Sequence, residues 1–224
     1  MTTLRFYQKL NYWFGFYLDG KKLLEKRFRI AVLISGGGTT LNNLFKWIDR
    51  GDLDVDVGLV VSSTAKSKGI TYATENNVPV TVVPKRKELT DQEYSDAIFE
   101  PIRQSKVNLV VMGGFLKHVL IPDDFENRVI NIHPSLIPDF CGEGFYGMKV
   151  HQAVIQEGCK ISGCTVHFVD NEYDHGPIIA QVTVPVEVGD TAETLQKRVF
   201  AQECEVYPQV IRQLSEVKVS KNQL

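Results

Sequence analysis

A chain of 224 residues, 43% hydrophobic and 23% charged, has the balance of a soluble globular domain and enough length for one large core. Its formal net charge of −2 gives no global attraction to nucleic acid or to an anionic membrane, so neither is expected as a partner, and any anion must be held locally. No apolar run approaches the ~20 residues of a spanning helix, and Cys141, Cys159, Cys164 and Cys204 lack the paired spacing of a zinc site, so free thiols in a reducing cytoplasm and no metal are expected.

The first 28 residues differ from the rest, with Phe6, Tyr7, Tyr12, Trp13, Phe14, Phe16 and Tyr17 crowded among lysines and arginines. Basic residues also follow the aromatic stretch and no small-residue cleavage site precedes Asp19, which fits a secretory signal poorly; an organelle presequence would be richer in Ser and Arg. Residues 1–28 are read as a non-catalytic extension that packs on the body or on a partner, 29–217 as one domain and 218–224 as a tail. A monomer and a homodimer both stay open.

From Arg29 short apolar runs alternate with helical patterns, which predicts an α/β fold with an open, mostly parallel Rossmann-like sheet flanked by helices. Residues 30–34 form a buried strand that runs into Ser35-Gly36-Gly37-Gly38-Thr39-Thr40, after which Leu41, Leu44, Phe45 and Ile48 share one helical face. Strands follow at 55–61, 80–83, 107–112 and 129–132, with helices at 70–74 and 94–103 between them. A Gly- and Pro-rich loop at 138–147 then leads to a short helix. Residues 165–169 and 178–184 are two strands joined by a turn at Asp174-His175-Gly176-Pro177, an antiparallel pair. Asp190 and Glu193 form the start box of a last helix that turns Leu195, Val199, Val206, Val210 and Leu214 inward and is bent at Pro208.

A strand running into glycines and a helix start gathers backbone N–H groups at the positive end of a helix, which suits a phosphate. No Gly-Lys-Ser/Thr follows, and Leu41 stands where a dinucleotide fingerprint has its third glycine, so a monophosphate is the better fit. Tight strand-to-helix packing accounts for the same glycines equally well.

Asn131-Ile132-His133-Pro134 begins at the carboxyl end of a predicted strand, where open α/β sheets build their sites. Alternation puts Asn131 and His133 on one face, and an amide and an imidazole together can donate hydrogen bonds to a developing tetrahedral oxyanion. No serine or cysteine elbow is present, which favours direct attack by a bound amine over a covalent enzyme intermediate. A carboxylate from Asp174 beside His133 would orient the ring and favour its charged form. The ordinary alternatives are a strand-capping histidine and a turn-forming aspartate.

At these residues the chain closely resembles the glycinamide ribonucleotide formyltransferase family, over nearly everything from Arg29 to about Leu214. The resemblance rests on Ile34-Ser35-Gly36-Gly37-Gly38-Thr39-Thr40-Leu41, Gly114-Phe115-Leu116-Lys117, Asn131-Ile132-His133-Pro134-Ser135-Leu136-Ile137-Pro138, and Thr165-Val166-His167-Phe168-Val169 with Asp174 and Gly176-Pro177, in that order. It implies the formyltransferase fold and transfer of a formyl group from 10-formyltetrahydrofolate, a cosubstrate, to the amine of glycinamide ribonucleotide in purine synthesis. It also implies that Gly36, Gly37, Gly38, Thr39 and Thr40 hold the phosphate and that Asn131, His133 and Asp174 are catalytic. Gly114, Leu116, Lys117 and Val119, with backbone around Tyr173, would line the folate pocket, and Glu203 would hold the substrate near its amine. Three features depart from the family pattern: Lys117 where arginine is common, a longer 140–147 loop, and His175 in place of a small residue.

A formyltetrahydrofolate hydrolase shares the catalytic trio, but resemblance to that group would bring a regulatory N-terminal domain and a second histidine where Pro134 stands. A methionyl-tRNA formyltransferase would be expected to carry a C-terminal RNA-binding domain. A non-catalytic nucleotide-binding domain is suggested by the strand-glycine-helix start alone.

Overall fold

The computed structural model describes residues 3–6 and 27–221; the aromatic stretch at 7–17 lies outside the described residues. Among the described residues, eight strands form one sheet in the order β1-β8-β7-β6-β5-β2-β3-β4. The parallel part comprises β2 (Phe28–Ile34), β3 (Val55–Ser62), β4 (Val80–Val82), β5 (Leu109–Met112) and β6 (Val129–His133). From β6 outward the pairing turns antiparallel, through β7 (Ile161–Phe168) and β8 (Ile178–Pro185) to β1 (Thr3–Phe6) at the edge. The segment ahead of the main domain thus supplies a strand, with Leu4 opposite Val182 and Arg5 opposite Gln181.

Burial on both faces is why β2 reads as an unbroken apolar run. Phe28, Ile30, Val32 and Ile34 join one core with α1 (Thr39–Asp49) and α5 (Ala192–Lys221). Ala31 and Leu33 face the other core, under Tyr94, Ile98, Phe99 and Ile102 of α3 (Asp91–Gln104). Two shorter helices, α2 (Gly69–Glu75) and α4 (Met148–Gln156), complete the set.

Two helix starts differ from expectation for one reason, side-chain capping. Helix α3 begins three residues before 94 because Thr90 Oγ1 accepts from the Glu93 N–H at 3.2 Å while the Glu93 carboxylate accepts from the Thr90 N–H at 2.8 Å. The box at the start of α5 is Thr191 with Thr194, each hydroxyl accepting the other's N–H at 3.3 and 2.9 Å, not Asp190 with Glu193. Asp190 instead pairs with Arg198 at 2.6 Å and accepts from the Glu187 N–H at 2.7 Å. Helix α5 continues through Pro208 to Lys221.

Candidate active site

A cleft of about 590 Å³ opens at the carboxyl ends of β5 and β6. It is bordered by the start of α1, by the segment after β5, by the 142–147 loop, by the β7–β8 connection and by α5. The antiparallel turn of the sheet at β6 builds its centre. Register places Asn131 opposite His167 and His133 opposite Thr165, and the connection after β7 then carries Asp174 back over both strands.

His133 and Asp174 meet, with Nδ1 3.4 Å from Oδ2. The same Oδ2 accepts from the Gly142 N–H at 3.0 Å, while Oδ1 lies 3.6 Å from His167 Nε2. His167 Nε2 is also 3.4 Å from Asn131 Nδ2, and its Nδ1 donates to the Phe168 carbonyl at 2.8 Å. His167 therefore sits between the amide and the carboxylate. Asn131, His133, Asp174 and His167 all line the cleft.

The other ring nitrogen of His133, Nε2, lies 2.8 Å from the Phe140 carbonyl oxygen, which can only accept, so Nε2 carries a proton. Acceptors thus face both nitrogens, an arrangement that suits an imidazolium. Burial nevertheless lowers the His133 pKa more than the Asp174 charge and the Phe140 carbonyl raise it, and the resting ring protonates less readily than a free imidazole. Burial also pushes Asp174 upward, but the adjacent His167 ring, the His133 charge and the Gly142 N–H together hold its carboxyl below the usual aspartate value.

Asp174 has φ 52°, a left-handed conformation that a non-glycine residue adopts at a cost of order 1 kcal/mol or more. The loop that imposes it is tied at several points. Asp170 accepts from the Glu172 N–H at 2.9 Å and from His175 Nδ1 at 2.8 Å, and Asn171 Oδ1 accepts from the Ile121 N–H at 2.7 Å. His175 is exposed and pairs with Asp170 at 2.8 Å.

Of the glycine loop, Thr39 and Thr40 line the cleft, whereas Gly36, Gly37 and Gly38 precede them outside its lining. The three glycines have different reasons to be there. Gly38 has φ 70°, and a Cβ on it would lie 2.3 Å from Gly69 Cα, so packing of α1 on α2 requires it. A Cβ on Gly36 would meet nothing within 4 Å, and one on Gly37 nothing nearer than 4.0 Å. Packing leaves those two unexplained.

At the other end Gly114, Leu116, Lys117, Val119 and Tyr173 all line the cleft. Leu116 and Tyr173 are exposed apolar surface at 60% and 48%, while Val119 is buried. Lys117 is exposed. His118, to which the sequence assigns no role, packs on Tyr173 with ring centroids 4.9 Å apart. Glu203 also faces the cleft from α5; it is half-buried and its carboxyl is pushed up to about 7 by desolvation.

His167 and His151 also line the cleft. His167 lies on β7, and its contact with Asn131 depends on the β6–β7 pairing. His151 on α4 is 2% exposed, and its buried Nδ1 has no hydrogen-bond partner among the described residues. Burial, then the His133 charge, lowers its pKa to about 4, which keeps it neutral. Among the described residues no group of three His, Cys, Asp or Glu side chains is arranged to hold a metal ion, and no helix is long and apolar enough to cross a membrane.

Residues 28–211 match the formyl transferase family. A chloroplastic phosphoribosylglycinamide formyltransferase of Vigna unguiculata is 40% identical over 198 residues, which are 87% of this chain and 63% of the relative. Its counterpart from Arabidopsis thaliana is 39% identical over 207 residues, 90% of this chain and 70% of the relative. The crystal structure of glycinamide ribonucleotide transformylase 1 from Symbiobacterium toebii matches with a TM-score of 0.80 at 34% identity, covering 88% of this chain and 92% of that one. With the trio assembled in one cleft and these likenesses spanning most of its length, the chain belongs to the formyl transferase family, among the phosphoribosylglycinamide formyltransferases.

Proposed function

We propose that this chain transfers the formyl group of 10-formyltetrahydrofolate to the amine of glycinamide ribonucleotide. The observation that carries the reading is the convergence of Asn131, His133 and Asp174 on one wall of a cleft that has a glycine loop beside one end and apolar surface at the other. The phosphate would lie against Gly36–Thr40, and the donor against Gly114, Leu116, Lys117, Val119 and Tyr173. Two anchored reactants turn a bimolecular encounter into an oriented one.

The neutral amine attacks the formyl carbon, forming a C–N bond and a tetrahedral oxyanion. Asn131 donates to that oxygen from its amide, which His167 orients. His133 joins it when its Nε2–H leaves the Phe140 carbonyl, and Asp174 stabilises the ring while it carries charge. Collapse breaks the bond to N10 of the folate. The amine loses a proton and N10 gains one, so formylated ribonucleotide and tetrahydrofolate leave with no net proton released. Glu203, with a carboxyl titrating near 7, would hold the amine end of the ribonucleotide.

The absorbance of the 10-formyl folate, followed with and without glycinamide ribonucleotide, tests the assignment. Consumption that requires the ribonucleotide supports transfer. Consumption in water alone means a hydrolase, and none at all means a binding domain. We also place the protein in the cytoplasm, on the strength of its four free cysteines; because the plant relatives carry chloroplastic names, imaging of a C-terminal fluorescent fusion decides between the two compartments.

A further inference from the structure

Ser67, a buried residue just ahead of α2 with 6% exposure, donates from Oγ to the Gly36 carbonyl at 2.7 Å. The Gly69 N–H donates to the same oxygen at 3.3 Å. In a planar trans peptide the carbonyl and the following N–H point in opposite directions. The Gly37 N–H is therefore directed away from α2.

Sheet order says what lies that way. Strand β2 sits between β3, which leads into α2, and β5, which leads into the Gly114–Val119 wall of the cleft. The two loops abut on the β5 side, because the Leu116 N–H donates to Ser35 Oγ at 2.9 Å, and Ser35 is itself held by Ser63 Oγ at 2.8 Å. No protein atom would contact a Cβ built on Gly36, and the nearest to one on Gly37 is 4.0 Å away, so a ligand oxygen can approach this backbone closely. A Gly-Gly peptide left unheld would rotate freely, and stopping that rotation on binding would weaken affinity.

We infer that Ser67 is a positioning residue that locks the Gly36–Gly37 peptide with its N–H aimed at the phosphate of the substrate, an assignment that rests on the function proposed above. Ser67 does not touch the ligand. It selects for phosphate through the orientation of one peptide.

Titration calorimetry of glycinamide ribonucleotide and of the unphosphorylated glycinamide riboside, on wild type, Ser67→Ala and Ser67→Thr, tests this. Loss of one buried hydrogen bond predicts that Ser67→Ala weakens the ribonucleotide by about fivefold to tenfold. The riboside and 10-formyltetrahydrofolate should bind as before, the latter reporting an intact fold, and Ser67→Thr should recover most of the loss by restoring the hydroxyl. Equal weakening of ribonucleotide and riboside, unchanged ribonucleotide affinity, or a threonine variant as weak as the alanine one overturns the inference and leaves the proposed function standing. A wild-type protein that binds neither ligand overturns both.

Discussion

Asn131 and His167 face each other across the β6–β7 pair, with Asn131 Nδ2 3.4 Å from His167 Nε2. Because His167 Nδ1 donates to the Phe168 carbonyl, Nε2 in the neutral ring is left as an acceptor, and the amide that bonds to it is fixed in orientation. Replacing Asn131 by Ala should lower kcat by about 10²–10³ with little change in ribonucleotide affinity, the usual cost of an oxyanion donor. His167→Ala should lower kcat by about tenfold through loss of that orientation. Since both act through one amide, steady-state kinetics of the double variant should fall well short of the product of the two losses; multiplicative effects would separate their roles.

Gly36 and Gly38 should respond in opposite ways to the same methyl group. Gly38→Ala forces a Cβ against Gly69 Cα at a positive φ, and thermal unfolding should show a clear loss of stability. Gly36→Ala meets no protein atom, so its melting temperature should stay close to wild type while KM for the ribonucleotide rises about tenfold or more through collision with the phosphate. Normal KM in Gly36→Ala would remove the loop from the substrate site.

Glu203 has a folded pKa of about 7 against an ordinary 4.5, raised by desolvation. A carboxyl that holds its proton more tightly when folded stabilises the protein fully below 4.5 and loses that contribution as pH climbs through 7. Glu203→Gln, which cannot ionise, should therefore melt close to wild type at pH 5 and several degrees higher at pH 8. A melting difference that does not grow between those two pH values would mean that Glu203 ionises without penalty. Turnover of the same variant should fall if its carboxylate holds the amine end of the substrate.

His175 follows Asp174 directly in the chain and pairs with Asp170 at 2.8 Å on an exposed loop. Exposed pairs hold weakly, so His175→Ala should reduce kcat by about twofold to fivefold, with ribonucleotide KM unchanged. The Asp170 carboxylate raises the His175 pKa, so the clamp is charged below that value and weakens as pH rises through it. The ratio of wild-type to His175→Ala turnover should accordingly shrink on the alkaline side, and a ratio flat with pH would remove the charge from the explanation.

Local patterns carried much of this protein. The unbroken apolar run of β2, the glycines leading into α1, the Asn-x-His spacing at the end of β6 and the turn before β8 are set within a few residues by burial periodicity and turn chemistry. Helix starts were less legible: Thr90 and Thr191 compete with neighbouring polar residues for the same orphan N–H groups, and only geometry chooses between adjacent candidates.

Residue types and their order therefore determined the α/β class and the family, and they marked Asn131, His133 and Asp174 as candidates. Tertiary structure decided what touches them. Asn131 and His167 are 36 positions apart, and their contact exists only because β6 and β7 pair antiparallel in one register; a shift of one residue would turn His167 to the opposite face. Glu203 acquires its high pKa, and His151 its orphaned nitrogen, from burial by elements far off in the chain, and desolvation is a property of the assembled interior that no local run of residues encodes.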